Sequence, residues 1–157
     1  TEGLVGSEMC IRDRKICDFG LAKMISKNEK NRCQSIEAVT LWYKPIELLL
    51  GYCYYNEKID VWSMGCVFYE LENKGAVLFK GDSEVSQIIH IYMKMGNPQD
   101  DFIKSLPHYN SNLSFNVHKL GVFKNKYDNM FCYDYHKRWS AQYTYSELCE
   151  LCECEFY

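Results

Sequence analysis

The chain has 157 residues, 47% of them hydrophobic, an ordinary single-domain length with enough apolar material to bury one core. A formal net charge of -3 supplies no basic stripe, so neither nucleic acid nor an anionic membrane is an expected partner. No apolar run approaches the roughly 20 residues that span a bilayer and no signal-peptide pattern opens the chain; nine cysteines without secretory context fit a reduced intracellular compartment, cytoplasmic or nuclear.

Residues 1 to 14 lack the period of a strand and are read as a foreign leader, outside the fold. Lys15-Ile-Cys-Asp-Phe-Gly-Leu-Ala-Lys23 taken alone reads as a strand end followed by a turn. Met24 to Val39 is polar without a sustained period, the pattern of a loop. Pro45 to Leu50 is predicted as a short helix, opened by Pro near its first turn and stopped by Gly51.

Ile59 to Leu71 carries apolar or small residues on every side, as a buried helix does, and at 13 residues it is too short to cross a membrane. It is therefore expected to be the central post of a helical lobe, with Asp60 as the polar exception at its start. Asp82 or Ser83 caps the next helix. Glu84 lies in the first turn of that helix, and Val85, Ile88, Ile89, Tyr92 and Met93 form its apolar face, up to a stop at Gly96-Asn-Pro98. Residues 99 to 121 carry no periodic signal. Phe123, Tyr127, Met130 and Phe131 recur at helical spacing, and Ser140 caps a last helix with Tyr145, Leu148, Cys149 and Cys152 on one face. Cys149, Cys152 and Cys154 lack a fourth ligand at a set spacing, which favours packing on a helix face over metal binding.

Five stretches carry a family resemblance. Ala38-Val-Thr-Leu-Trp-Tyr-Lys-Pro-Ile-Glu-Leu-Leu-Leu-Gly51 and Ile59-Asp-Val-Trp-Ser-Met-Gly65, preceded by Asp18-Phe-Gly20, resemble the C-terminal lobe of a protein kinase. Ala76-Val-Leu-Phe-Lys-Gly-Asp-Ser-Glu84 and Tyr133-Asp-Tyr-His-Lys-Arg-Trp-Ser-Ala141 narrow it to cyclin-dependent-kinase-like members of the CMGC group. Lys44, Pro45 and Ile46 stand where that family has Arg, Ala and Pro. The resemblance covers roughly residues 15 to 145 and implies a mainly α fold, a helical lobe without the β-rich N-lobe, with residues 15–157 as a partial kinase domain.

What the resemblance implies about chemistry follows residue by residue. ATP and Mg2+ are the cofactors and protein serine or threonine hydroxyls the acceptors. Asp18 matches the magnesium ligand, a carboxylate because a hard cation bridging phosphates prefers anionic oxygen, with Phe19 packed behind it. Ser35 stands at the activating phosphosite, with Lys23 at one of its cation positions; taken by itself Ser35 is equally a solvated loop serine. Val39 and Thr40 match residues that shape the substrate pocket. Lys44 offers a point charge where the family has a planar fork, which implies weaker Pro-directed specificity. Glu47 and Arg138 match a buried ion pair, and Asp60 matches an acceptor for backbone N–H groups of the catalytic loop. The region after Pro98, with the helix beside it, matches a docking surface for a cyclin or another accessory protein.

Ile11-Arg-Asp-Arg-Lys15 imitates a kinase catalytic loop. In the family it resembles, a loop and a two-stranded hairpin separate the catalytic Asp from the Asp-Phe-Gly Asp. Two strands of about five residues and a turn cannot fit between Asp13 and Asp18, so the resemblance does not make Asp13 a catalytic base. The Gly-rich phosphate loop, its lysine and the catalytic Asp and Asn are likewise not in the sequence. Two readings follow: an inactive piece of a Ser/Thr kinase, or a non-catalytic kinase-like lobe that binds protein partners.

Overall fold

A computed structural model describes residues 17–24, 33–35, 39–113 and 128–154, without the side chains of 150–154. The leader assigned to residues 1 to 14, Asp13 within it, and Phe123 and Tyr127 lie outside the described residues.

Pro45, held extended at φ -70° and ψ 156°, opens α1 (Ile46–Leu49), and Gly51 closes it in the left-handed region at φ 82°. Every residue of α1 is buried, Glu47 included. The long helix α2 (Lys58–Glu72) follows one residue earlier and one later than the apolar run predicts. Its Trp62 is fully buried, stacked on Phe79 at 5.9 Å between ring centroids and edge-on to Phe131 at 5.2 Å. Gly65 permits that approach, because a Cβ there would stand 2.7 Å from Phe131 Cζ.

The prediction that α2 is buried all round is corrected. Val61, Trp62, Gly65 and Cys66 are buried, whereas Val67 is 43% and Leu71 60% exposed. The core of α1, α3, Phe79 and Phe131 lies against one side of the helix, and no described residue covers these two.

Ser83 is the N-cap of α3 (Glu84–Met95), its hydroxyl accepting from the Ser86 N–H at 3.2 Å. Gly96, at φ 85°, ends the helix and donates its N–H to the Tyr92 carbonyl. The inward face is Gln87, Ile88, Ile91 and Tyr92, so the predicted face is corrected: Val85 and Met93 are exposed and Ile89 is half-buried. The shift arises because Gln87 is buried with both ends of its amide hydrogen-bonded, which removes the penalty for turning a polar residue inward.

Within the aperiodic stretch after Pro98 the structure has a one-turn helix, α4 (Asp101–Lys104), too short to show a period, which seats Ile103 and Leu106 in the core. A 3-10 turn at Asp128–Met130 delivers Met130 and Phe131 to the same core. Ser140 accepts from the Tyr143 N–H at 3.2 Å at the start of α5 (Ala141–Cys154). There Thr144, its hydroxyl satisfied by the Ser140 carbonyl, is buried and Leu148 packs on the core. Tyr145 is 71% exposed, which corrects its place on the packed face.

Among the described residues there is no strand, and the architecture is a helical lobe. No described helix is long and apolar enough to cross a membrane. Cys33 and Cys53 form a disulfide, their Cα atoms 4.7 Å apart, while Cys17, Cys66 and Cys149 are free thiols. Composition could not show this, because the pairing depends on the fold bringing together positions separated by 20 in the chain.

Candidate substrate-facing site

The 3-10 turn Leu41–Tyr43, with Lys44 after it, is laid across α2 and α3 by side chains that each reach a different element. Trp42 donates its indole N–H to the Gly81 carbonyl at 2.8 Å, and Lys80 lies over the Trp42 ring at 5.6 Å. Gln87 accepts from the Gly81 N–H at 2.8 Å and donates to the Trp42 carbonyl at 3.2 Å, so one amide joins the turn, the 80–83 loop and α3. Ser63 of α2 donates to the Tyr43 carbonyl at 2.9 Å. The Tyr43 phenol donates to Glu70 at 3.3 Å; burial first, then this carboxylate, push its pKa upward.

Lys44 is only 5% exposed and donates to Glu84 Oε1 at 2.6 Å, so its charge is engaged by the first turn of α3. Beneath α1, Arg138 and Glu47 meet as a two-pronged pair, both side chains fully buried: Nη1 to Oε1 at 2.7 Å and Nη2 to Oε2 at 2.8 Å. The same guanidinium donates to the carbonyls of Lys58 and Cys132, each at 3.0 Å, and lies 5.0 Å from the centre of the Trp62 ring. Arg138 thus ties α1, the start of α2 and the 131–138 stretch at one point.

The remaining candidates stand at the surface. Thr40 is exposed and starts the turn through its carbonyl, which accepts from Tyr43 N–H at 3.0 Å; Val39 is half-buried at a bend. Ser35 is exposed, and its carbonyl accepts from the Tyr55 phenol at 2.6 Å. Lys23 and Asp18 are exposed, with Asp18 in the left-handed region at φ 63° and ψ 59°. Phe19 is 68% exposed, which corrects its expected packing behind Asp18; the described residues supply nothing to pack it.

No group of three or more His, Cys, Asp or Glu side chains among the described residues is placed to hold a metal. Magnesium at a nucleotide is held by one or two carboxylates plus phosphates and water. Asp18 therefore fits one ligand of such a site and does not make the site.

Asp60 lies at the start of α2, exposed, and its carboxylate accepts no hydrogen bond from the described residues. Partial burial of the carboxyl first, and then Glu57, push its pKa above the ordinary range. A carboxyl with a raised folded pKa binds its proton more tightly folded than unfolded. Its ionisation therefore disfavours the fold, and stability falls as pH rises through the folded pKa. Asp60→Asn is expected to raise the melting temperature at pH 7 and to leave it unchanged near pH 3, below the usual Asp pKa of about 3.9. Melts of both proteins at the two pH values test this; a variant less stable at pH 7 would show that the carboxylate is favourably held.

These features define a protein of one class. The chain belongs to the protein kinase domain family, whose sequence model matches residues 8–148. Its resemblances lie with the cyclin-dependent kinases. It is 44% identical over 99 residues to Cyclin-dependent kinase C-2 C of Arabidopsis thaliana, covering 62% of this chain and 15% of the relative. It is 43% identical over 100 residues to Cell division control protein 2 homolog 3 of Trypanosoma brucei brucei, covering 60% of this chain and 31% of the relative. The chain thus spans less than a third of either relative's length.

Gln87, Gly81 and Trp42 were not among the residues singled out for function, yet they form the joint of the site. A Gln on the otherwise apolar side of a capped helix, six residues after a Gly, was the signal that could have found them.

Proposed function

We propose that these residues form the substrate-facing lobe of a cyclin-dependent-kinase-like protein Ser/Thr kinase, and that the 157 residues alone transfer no phosphate. The observation that carries this reading is the fixing of Trp42 to Lys44 onto α2 and α3, with Thr40 left exposed at the start of the fixed turn and Ser35 exposed against Tyr55.

In the parent kinase Asp18 would hold one ligand position on a magnesium ion, which would carry ATP as the donor of the γ-phosphoryl group. Val39, Thr40 and Lys44 line the pocket for the protein substrate. The tie between Lys44 and Glu84 holds the lysine charge on α3, which fits a weak preference for proline after the acceptor. Ser35 is the phosphosite: phosphate there adds about -1.5 to -2 charges for cations to gather, Lys23 among them. A cyclin or another accessory protein docks on the parent. Positioning and electrostatics carry phosphoryl transfer, and the loops and side chains that supply most of both are not in this sequence.

The test is a chimera in which residues 17–148 replace the matching stretch of the trypanosome relative, assayed for transfer from labelled ATP to a protein substrate. Transfer is expected with Asp18 present, to be lost with Asp18→Ala, and to fall severalfold with Ser35→Ala, while the 157-residue chain stays at background. A soluble, folded chimera that is silent with Asp18 intact would favour the non-catalytic, partner-binding lobe instead.

A further inference from the structure

Residues 33 to 35 are held against the loop between α1 and α2 by three successive attachments. Cys33 is bonded to Cys53, the Gln34 N–H donates to the Cys53 carbonyl at 2.8 Å, and the Tyr55 phenol donates to the Ser35 carbonyl at 2.6 Å. The two hydrogen bonds set the register, so the sulfurs face each other without backbone movement: a Cα separation of 4.7 Å lies within the range that a disulfide bridges. Cys33 is exposed and Cys53 half-buried, so a soluble oxidant or reductant reaches the pair. Cys66, by contrast, is buried in the core, its thiol pushed up by burial and closed to such chemistry.

We propose that Cys33 and Cys53 are a reversible redox modification site, whose oxidation clamps residues 33–35 onto the loop that follows α1. The oxidant is a low-molecular-weight disulfide, glutathione disulfide in the simplest case. The exposed Cys33 thiolate attacks it, forming a mixed disulfide and releasing one glutathione thiolate. The Cys53 thiolate then attacks the Cys33 sulfur and expels the second. Two protein thiols lose two electrons and two protons, and one glutathione disulfide becomes two glutathione thiols. Excess thiol runs the steps backward and leaves the segment held by its two hydrogen bonds alone. A consequence for modification of Ser35 rests on the function proposed above; the pairing and the clamp do not.

The experiment uses the full chain, equilibrated with glutathione buffers of increasing oxidised fraction and then alkylated, with cross-linked peptides mapped by mass spectrometry. Cys33–Cys53 is expected to be the dominant linkage in native buffer and to lose that dominance in urea, where cysteines pair by loop length alone. Trypsin cleavage of the Arg32–Cys33 bond is expected to be about tenfold slower in the oxidised chain than in the reduced chain, because a cross-link suppresses local opening. Cys53→Ser is expected to be cut at the reduced rate in every buffer. The same linkage pattern in native buffer and urea would overturn the site, and equal cleavage rates with the linkage present would overturn the clamp. No phosphoryl transfer is read, so failure here is distinct from failure of the kinase assignment.

Discussion

Arg138→Ala is expected to abolish cooperative folding or to bring the chain to its edge. The change leaves Glu47 charged in a site with no solvent contact, and stranding one member of such a pair costs about 3–5 kcal/mol. It also removes the donor to the Lys58 and Cys132 carbonyls, about 1–3 kcal/mol for each that stays buried and unmet. A domain's whole stability is about 5–15 kcal/mol, so the sum consumes most of it. Arg138→Lys should lie between, because an ammonium keeps the charge and loses the planar fork. The joint change Glu47→Leu with Arg138→Met should be milder than either single alanine, since it strands no charge. Urea unfolding followed by Trp fluorescence distinguishes these, and a midpoint for Arg138→Ala equal to that of the parent chain would refute the argument.

The second large effect is expected from Gly81→Ala. A Cβ at position 81 would stand 2.5 Å from the Gln87 N and 2.6 Å from its Cα, both backbone atoms in the first turns of α3. No rotamer relieves a clash with backbone, so either α3 or the 80–83 loop must move. Movement breaks the bond from the Gly81 N–H to Gln87 and pulls its carbonyl away from the Trp42 indole. Overpacking costs about 1–3 kcal/mol before those bonds are counted. At this chain length the melting temperature should therefore fall by roughly 5–10 °C. A melt unchanged from the parent chain would show that the loop relaxes freely and that the joint carries little.

How far the sequence could be read depended on whether each signal was local. A cap at Asp82 or Ser83, Ser140 as a cap, Gly51 and Gly96 as stops, and the extents of α2 and α3 to within a residue or so follow from chemistry within a turn of the chain, and a helical lobe follows from them. Helix faces do not, because a face is defined by what lies across from it. Val67 and Leu71 belong to an apolar helix and still meet solvent, while Gln87 turns inward because Trp42, 45 positions away, needs a donor. Phe19 reads as packed only if something is there to pack it. The meeting of Glu47 and Arg138, 91 positions apart, came from family resemblance; no period in the sequence encodes it. Cys33 and Cys53 had no signal, since the count of nine cysteines suits several pairings and none.

The two ends of the Leu41–Lys44 turn are fastened by unlike means, and ionic strength separates them. At the Trp42 end the fasteners are neutral, an indole and a carboxamide bonded to backbone, and carry no charge for mobile ions to screen. At the Lys44 end the fastener is a full ion pair whose lysine is sheltered while Glu84 is 57% exposed, open to counterions from one side. Added salt thus weakens the Lys44–Glu84 tie and spares the neutral bonds, so high ionic strength loosens the lysine side chain from α3 while Trp42 and the Ser63 bond to the Tyr43 carbonyl keep the turn in place.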